Sequence, residues 1–176
     1  EIEEYNNTMK RISELERIEA ARRANQSSNT NKNNTSTGST TQGTISGTGK
    51  LTWPIPGYTN ITSYYGYRIH PVYGIYKLHN GIDVGAPKGA KFVAADDGEV
   101  ILAEYYGGYG NCVVISHGNG LFTRYGHGTS ILVSKGQKVT RGTPVLTVGS
   151  TGISTGNHAH FEVSINGVTV NPLNYL

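Results

Sequence analysis

The sequence holds a single cysteine, Cys112, among 176 residues, which excludes an intrachain disulfide and a cysteine-based zinc cluster. A lone thiol in a β-type stretch reads as packing. Charge is also scarce: Asp, Glu, Lys and Arg make up 15% of the chain, against roughly 25% in typical soluble domains. The net charge of +3 arises entirely after the first 49 residues, which carry six basic and six acidic side chains, whereas residues 50–176 carry nine and six. That excess forms no clustered basic patch, so nucleic acid is not an expected partner; mild attraction to an anionic polymer is the most it supports. No apolar run approaches the roughly 18 residues that would cross a bilayer, and no basic-then-apolar signal peptide opens the chain. The chain starts at Glu1 rather than Met and reads as a processed or excised segment, with any targeting sequence upstream. What it has in excess is glycine, 24 residues or about 14%, twice the usual share of roughly 7%, which favours a turn-rich β protein.

Three segments follow from composition. Residues 1–24 carry Ile2, Tyr5, Met9, Ile12, Leu15 and Ile18 at three- and four-residue steps among charged residues, the pattern of an amphipathic helix. Its narrow stripe suits the end of a coiled coil with a partner helix, or equally an isolated helix that frays. Residues 25–50 are Ser, Thr, Asn, Gln or Gly at 23 of 26 positions, too little apolar surface to offset ordering entropy, so this segment is expected to be a disordered tether. Residues 51–176 alternate short β-branched runs with Gly and Asn. Strands are expected at Lys91–Ala95, Gly98–Glu104, Cys112–His117, Leu121–His127, Val145–Val148 and His158–Ile165, with a hairpin turn at Asn166–Gly167. No helical period of ten or more residues interrupts them, so the expected domain is mainly β, a compact antiparallel β-sheet.

All six histidines fall in this last segment. In His158-Ala159-His160-Phe161-Glu162-Val163-Ser164-Ile165 every second residue changes character, so a strand would put His158, His160, Glu162 and Ser164 on one face and the apolar residues on the other. Two histidines can then look into one cleft, or simply into solvent. In His79-Asn80-Gly81-Ile82-Asp83 an extended chain would separate the first and last residues by about 13 Å, but Asn-Gly is turn chemistry, and a bend would fold imidazole and carboxylate toward one point. Histidine and carboxylate both bind zinc, and three protein ligands with one open position make a catalytic site; His79, Asp83 and His160 would supply the three. In Thr123-Arg124-Tyr125-Gly126-His127, alternation places Thr123, Tyr125 and His127 on one face, so His127 could also reach the cleft; taken alone it reads as a structural histidine.

These residues resemble the lysostaphin/LytM-type zinc metallopeptidases, peptidoglycan endopeptidases that cut cell-wall peptides. The resemblance runs from about Trp53 to the C-terminus and rests on Tyr67-Arg68-Ile69-His70-Pro71, His79-Asn80-Gly81-Ile82-Asp83-Val84, Tyr125-Gly126-His127, Gly136-Gln137-Lys138-Val139, and Gly149-Ser150-Thr151-Gly152 leading into Gly156-Asn157-His158-Ala159-His160-Phe161-Glu162. It implies a barrel-sandwich, lysostaphin-like fold, one Zn2+ held by His79, Asp83 and His160, and catalytic assistance from His158 and His127. Two departures are visible: many relatives carry Leu where this chain has Gly128 and Ala159, which puts only local packing in doubt.

The implied substrate is bacterial peptidoglycan, cut in its stem or cross-bridge peptides outside the membrane, which fits a surface-held, extracytoplasmic or secreted protein. His158, two residues from a ligand, is favoured as the base. Arg68 and His70 are expected to line the substrate groove, and His117 to be structural. The surplus tyrosines suit aromatic walls of a groove, or core packing. Two other readings stand beside the enzyme: a carrier-type barrel-sandwich module, for which the chain lacks a modifiable lysine motif, and a catalytically silent wall-binding or amidase-activating partner.

Overall fold

The structure, a computed structural model, describes residues 48–176 together with Glu14, Arg17, Ile18 and Ala21, which are helical. The rest of the expected N-terminal helix, its coiled-coil pairing, and the tether up to residue 47 lie outside the described residues.

Among the described residues twelve strands follow in order: β1 Ile61–Ser63, β2 Gly66–Ile69, β3 Tyr76–His79, β4 Ile82–Gly85, β5 Lys91–Val93, β6 Gly98–Tyr105, β7 Asn111–Gly118, β8 Leu121–Gly128, β9 Lys138–Val139, β10 Pro144–Thr147, β11 His158–Ile165 and β12 Val168–Val170. Every pairing is antiparallel. The main sheet runs β1-β4-β11-β8-β7-β6-β9 with β12 beside β11, and two small sheets, β10-β5 and β2-β3, complete the domain. The mainly antiparallel β-domain expected from the sequence is therefore present, and β11 spans the expected residues. Strands β1 to β4 were not anticipated, because three- and four-residue strands among Tyr, Gly and Pro carry no readable period.

Alternation along β11 builds the core on one side only. Ala159, Phe161 and Val163 are fully buried, and Phe161 meets Tyr125 of β8 at 5.5 Å and Phe92 of β5 at 6.3 Å between ring centroids. Each fully buried large apolar side chain stabilises by about 2–3 kcal/mol, so this aromatic trio fixes which face of β11 turns inward. A second apolar cluster, with Cys112, Val114, Phe122, Tyr106 and Tyr109, packs on the opposite face of β7 and β8. Both faces of these long strands are thus covered, and Cys112 is plain packing.

The core also holds one directional hydrogen-bond chain. Ala95 N–H donates to Tyr125 Oη, Tyr125 to Thr123, Thr123 to His117 Nε2, and His117 Nδ1–H to the Asp97 carbonyl, at 2.7–2.9 Å. Burial pushes the His117 pKa down, in keeping with a neutral imidazole that accepts at one nitrogen and donates at the other. At Gly128 the side-chain space is taken by Leu146: a Cβ there would lie 2.3 Å from Leu146 Cγ.

Candidate active site

Strand register brings the candidate residues into one cleft. His160 stands directly opposite Asp83 across the β11–β4 pair and opposite Gly126 across the β11–β8 pair. His79 closes β3, and the chain turns at Asn80-Gly81 before β4 carries Asp83. The turn brings His79 Nε2 to 3.2 Å from Asp83 Oδ1, and His160 Nδ1 lies 2.7 Å from the same oxygen and 3.3 Å from His79 Nε2. One ligand-type atom from each of the three falls within 4.8 Å of the others. His158 and His127 line the same cleft, of about 380 Å³, as do Arg68 and His70.

The far nitrogen of each imidazole is engaged. Nδ1 contacts a backbone carbonyl in three cases: His79 with Tyr64 at 2.8 Å, His127 with Thr151 at 2.9 Å and His158 with Gly156 at 2.8 Å. Since a carbonyl only accepts, each Nδ1 carries the hydrogen and each Nε2 is left with its lone pair. His160 is the reverse: its Nε2 faces Glu162 Oε1 at 2.9 Å, which leaves Nδ1 toward the cleft. His79 Nε2, His160 Nδ1 and Asp83 Oδ1 are then three acceptors converging on one point, and they need a cation between them. In the metal-free protein a proton on His160 serves. Burial works against that proton, but hydrogen bonds to Asp83 and Glu162 outweigh it and lift the His160 pKa to about 9. For Asp83, burial is likewise overcome by the His160 and His79 contacts, which hold its carboxyl well below the usual range. Two nitrogens and one carboxylate oxygen, each braced from behind, are a donor set that fits zinc.

His127 reaches the cleft by a route that alternation alone would not give. Thr123 and Tyr125 point into the core, as the hydrogen-bond chain shows, and a regular strand would send His127 after them. Instead β8 holds one extra residue between its pairings Val113↔Tyr125 and Asn111↔Gly128, and His127 sits there with φ +60°. This β-bulge re-aims the side chain so that its ring lies 4.9 Å from that of His158. Burial, then the charges of His160 and His158, push its pKa down to about 3. A left-handed backbone disfavours any residue with a Cβ, so His127→Gly is expected to exceed His127→Ala in stability by about 1 kcal/mol. Urea denaturation checks this; equal midpoints would mean that the bulge relaxes when the imidazole is removed.

Arg68 and His70 occupy the β2–β3 hairpin and the turn after β2. The Arg68 guanidinium approaches Asp83 Oδ2 at 3.4 Å. His70 caps its turn, with Nδ1 accepting from the Val72 and Tyr73 N–H groups at 3.2 and 3.3 Å, and stacks on the Tyr73 ring. The face of β11 that could have been solvated is covered instead, with Glu162 and Ser164 at 2% and 3% exposure. The sequence places Glu162 on the histidine face and gives neither it nor Arg124 a role, while Tyr109 is among the surplus tyrosines read as groove walls or core packing. Alternation on β8 puts Arg124 and Gly126 on a shared face, a signal for the first; Tyr109 comes from a 3-10 turn at Gly107–Tyr109, borders the cleft and is almost wholly buried.

The profile of peptidase family M23 matches residues 77–172, more than half of the chain and all five residues of the cluster. The chain belongs to peptidase family M23. The M23 domain is 46% identical over 116 residues to the DD-carboxypeptidase/endopeptidase Mpg of Neisseria meningitidis, covering 66% of this chain and 27% of that protein. It is 40% identical over 99 residues to the murein hydrolase activator NlpD of Salmonella dublin, covering 56% and 26%. The chain thus spans about a quarter of the length of these curated relatives. Among solved structures, a zinc-containing peptidase from Vibrio cholerae superposes with TM-score 0.65 at 40% identity, over 69% of this chain and 39% of that one. The catalytic domain of lysostaphin from Staphylococcus simulans superposes at 0.60 with 27% identity, over 67% and 91%. The lysostaphin-like fold implied by the sequence is therefore shown.

Proposed function

We propose that this M23 domain is a zinc-dependent endopeptidase that hydrolyses peptide bonds of bacterial peptidoglycan outside the membrane. The observation that carries this reading is the convergence of His79 Nε2, Asp83 Oδ1 and His160 Nδ1, three acceptors whose far sides are braced by Tyr64, Arg68 and Glu162. These three residues would hold one zinc ion, which supplies Lewis acidity and activates water near neutral pH. The rest of the work belongs to the chain's own side chains. His158 keeps its Nδ1 hydrogen on the Gly156 carbonyl and turns Nε2 to 3.6 Å from Asp83 Oδ1. It is the base that takes the proton from the attacking water and returns it to the leaving amine nitrogen. His127, its ring beside that of His158, carries no hydrogen on Nε2 in the resting site; the negative charge developing on the tetrahedral oxyanion would favour its protonated form and with it a hydrogen bond to that oxygen. Arg68 and His70 border the cleft where the peptide would lie.

Likeness to an activator favours one rival, a domain that docks on the wall without cutting it. All five polar residues of the cluster are present in this chain, which supports an enzyme. Purified protein incubated with sacculi is expected to release soluble muropeptides whose masses identify the bond cut. Activity should disappear with a chelator and return with zinc. Protein that binds sacculi, contains no zinc and releases nothing would overturn this reading in favour of the docking module.

A further inference from the structure

We propose that Arg124, Glu162 and Tyr109 form a buried positioning unit that sets which nitrogen of His160 faces the cleft, and through it the affinity of the site for a divalent cation. The proposal rests on the metal site put forward above and deepens it.

The unit is built by strand register. Glu162 and Arg124 are direct partners across β11 and β8, two residues along from the His160↔Gly126 pair and on the same face. Both are almost wholly buried, at 2% and 3% exposure, and the Arg124 guanidinium contacts Glu162 Oε2 directly. Tyr109 closes the triangle. Its hydroxyl donates to Glu162 Oε1 at 2.7 Å and accepts from Arg124 Nη1 at 3.1 Å, and the guanidinium lies over its ring at 4.9 Å. Each member is held by the other two.

A buried ion pair is a poor way to gain stability, because desolvating two charges offsets most of their attraction, and apolar replacements of similar volume often serve as well. What apolar residues could not do is accept a hydrogen from His160. Glu162 Oε1 takes both the Tyr109 hydroxyl and His160 Nε2–H. Arg124 keeps Glu162 ionised and so an acceptor only. A carboxylate behind the ring forces the hydrogen onto Nε2, leaves Nδ1 as the ligand-type atom, and raises the donor strength of that nitrogen. His79 Nδ1 is braced by neutral groups, the Tyr64 carbonyl at 2.8 Å and the Ser63 hydroxyl at 3.4 Å, so the charged and stronger support falls on His160. Gly126 leaves room for this arrangement: a Cβ there would lie 3.3 Å from the Tyr109 ring and 3.5 Å from His160 Cδ2.

A purely structural role, tying the Gly107–Tyr109 turn to the sheet, would use the same contacts, so stability and metal affinity must be read separately. The full chain is stripped of metal, its zinc dissociation constant measured by competition with a chromophoric chelator, and its melting temperature recorded without metal. Glu162→Gln should weaken zinc by about 10- to 100-fold, but it leaves Arg124 buried without a counter-charge and can unfold the protein. The paired change Arg124→Met with Glu162→Leu removes both charges. It is expected to melt near the wild type yet retain the 10- to 100-fold loss, and such a variant binding zinc as tightly as the wild type overturns the proposal. If the pair fails to fold, Tyr109→Phe decides, since it keeps the ring and the ion pair and removes only the hydroxyl with its two hydrogen bonds, to Glu162 and from Arg124. A several-fold loss of zinc affinity supports the proposal, and an unchanged affinity overturns it. Wild-type protein that binds no zinc would instead remove the metal site on which the proposal stands, an outcome the same titration separates from the others.

Discussion

His160→Ala should release the metal and lose activity together, whereas His158→Ala should keep the metal and still lose turnover, by about 10²- to 10⁴-fold, the range that a positioned acid–base group supplies. The two residues are two apart on one strand and share one face, so the contrast is a test of role rather than of place. His160 Nδ1 stands 2.7 Å from Asp83 Oδ1 and within 3.3 Å of His79 Nε2. His158 Nε2 lies 3.6 Å from Asp83 Oδ1, at the edge of that group. Zinc content per chain, measured beside muropeptide release, reads both outcomes. A His158→Ala protein that is zinc-replete and fully active would remove His158 as the base and leave His127 as the remaining candidate.

Gly81→Ala is expected to be a strongly damaging change at the site itself. A Cβ at residue 81 would lie 2.2 Å from the Phe161 carbonyl oxygen and 2.8 Å from Glu162 Cγ. The first contact is with backbone, which cannot swing aside as a side chain can, so β4 and β11 must separate at the pairing that sets Asp83 opposite His160. The cost should reach about 3 kcal/mol, the upper part of the range for overpacking, or roughly 10 °C of melting temperature for a domain of this size. Gly156→Ala is the control: no atom lies within 4 Å of its Cβ position and its φ is not left-handed, so its stability should stay within about 0.5 kcal/mol of the parent. A Gly81→Ala protein that melts with the control would mean that the strands yield at little cost.

Gly81 also shows how a local sequence signal and a tertiary requirement can meet in one residue. Asn80-Gly81 announces a turn from sequence alone, because these residue types adopt tight-turn conformations cheaply. That the same glycine must lack a side chain because another strand crosses its Cβ position is invisible until β4 and β11 are paired. The hairpin of β2 and β3 illustrates a different limit. Its four-residue strands are too short for a period of two to emerge, so Arg68 and His70 could be suspected of lining a groove only from their nearness in sequence to His79.

The sequence by itself determined the β class and the facing of β11, because two-residue alternation between apolar and polar side chains follows directly from strand geometry. It also carried the motifs by which the family could be suspected. Only the tertiary structure decided how the histidines share their hydrogens, since that depends on which carbonyl or carboxylate stands behind each ring, and those partners come from Tyr64, Thr151, Gly156 and Glu162. It decided likewise that His127 turns to the cleft through a bulge, against the alternation of its own strand. Strand patterns are local and repeat along the chain, whereas a bulge and a braced imidazole exist only where distant segments meet.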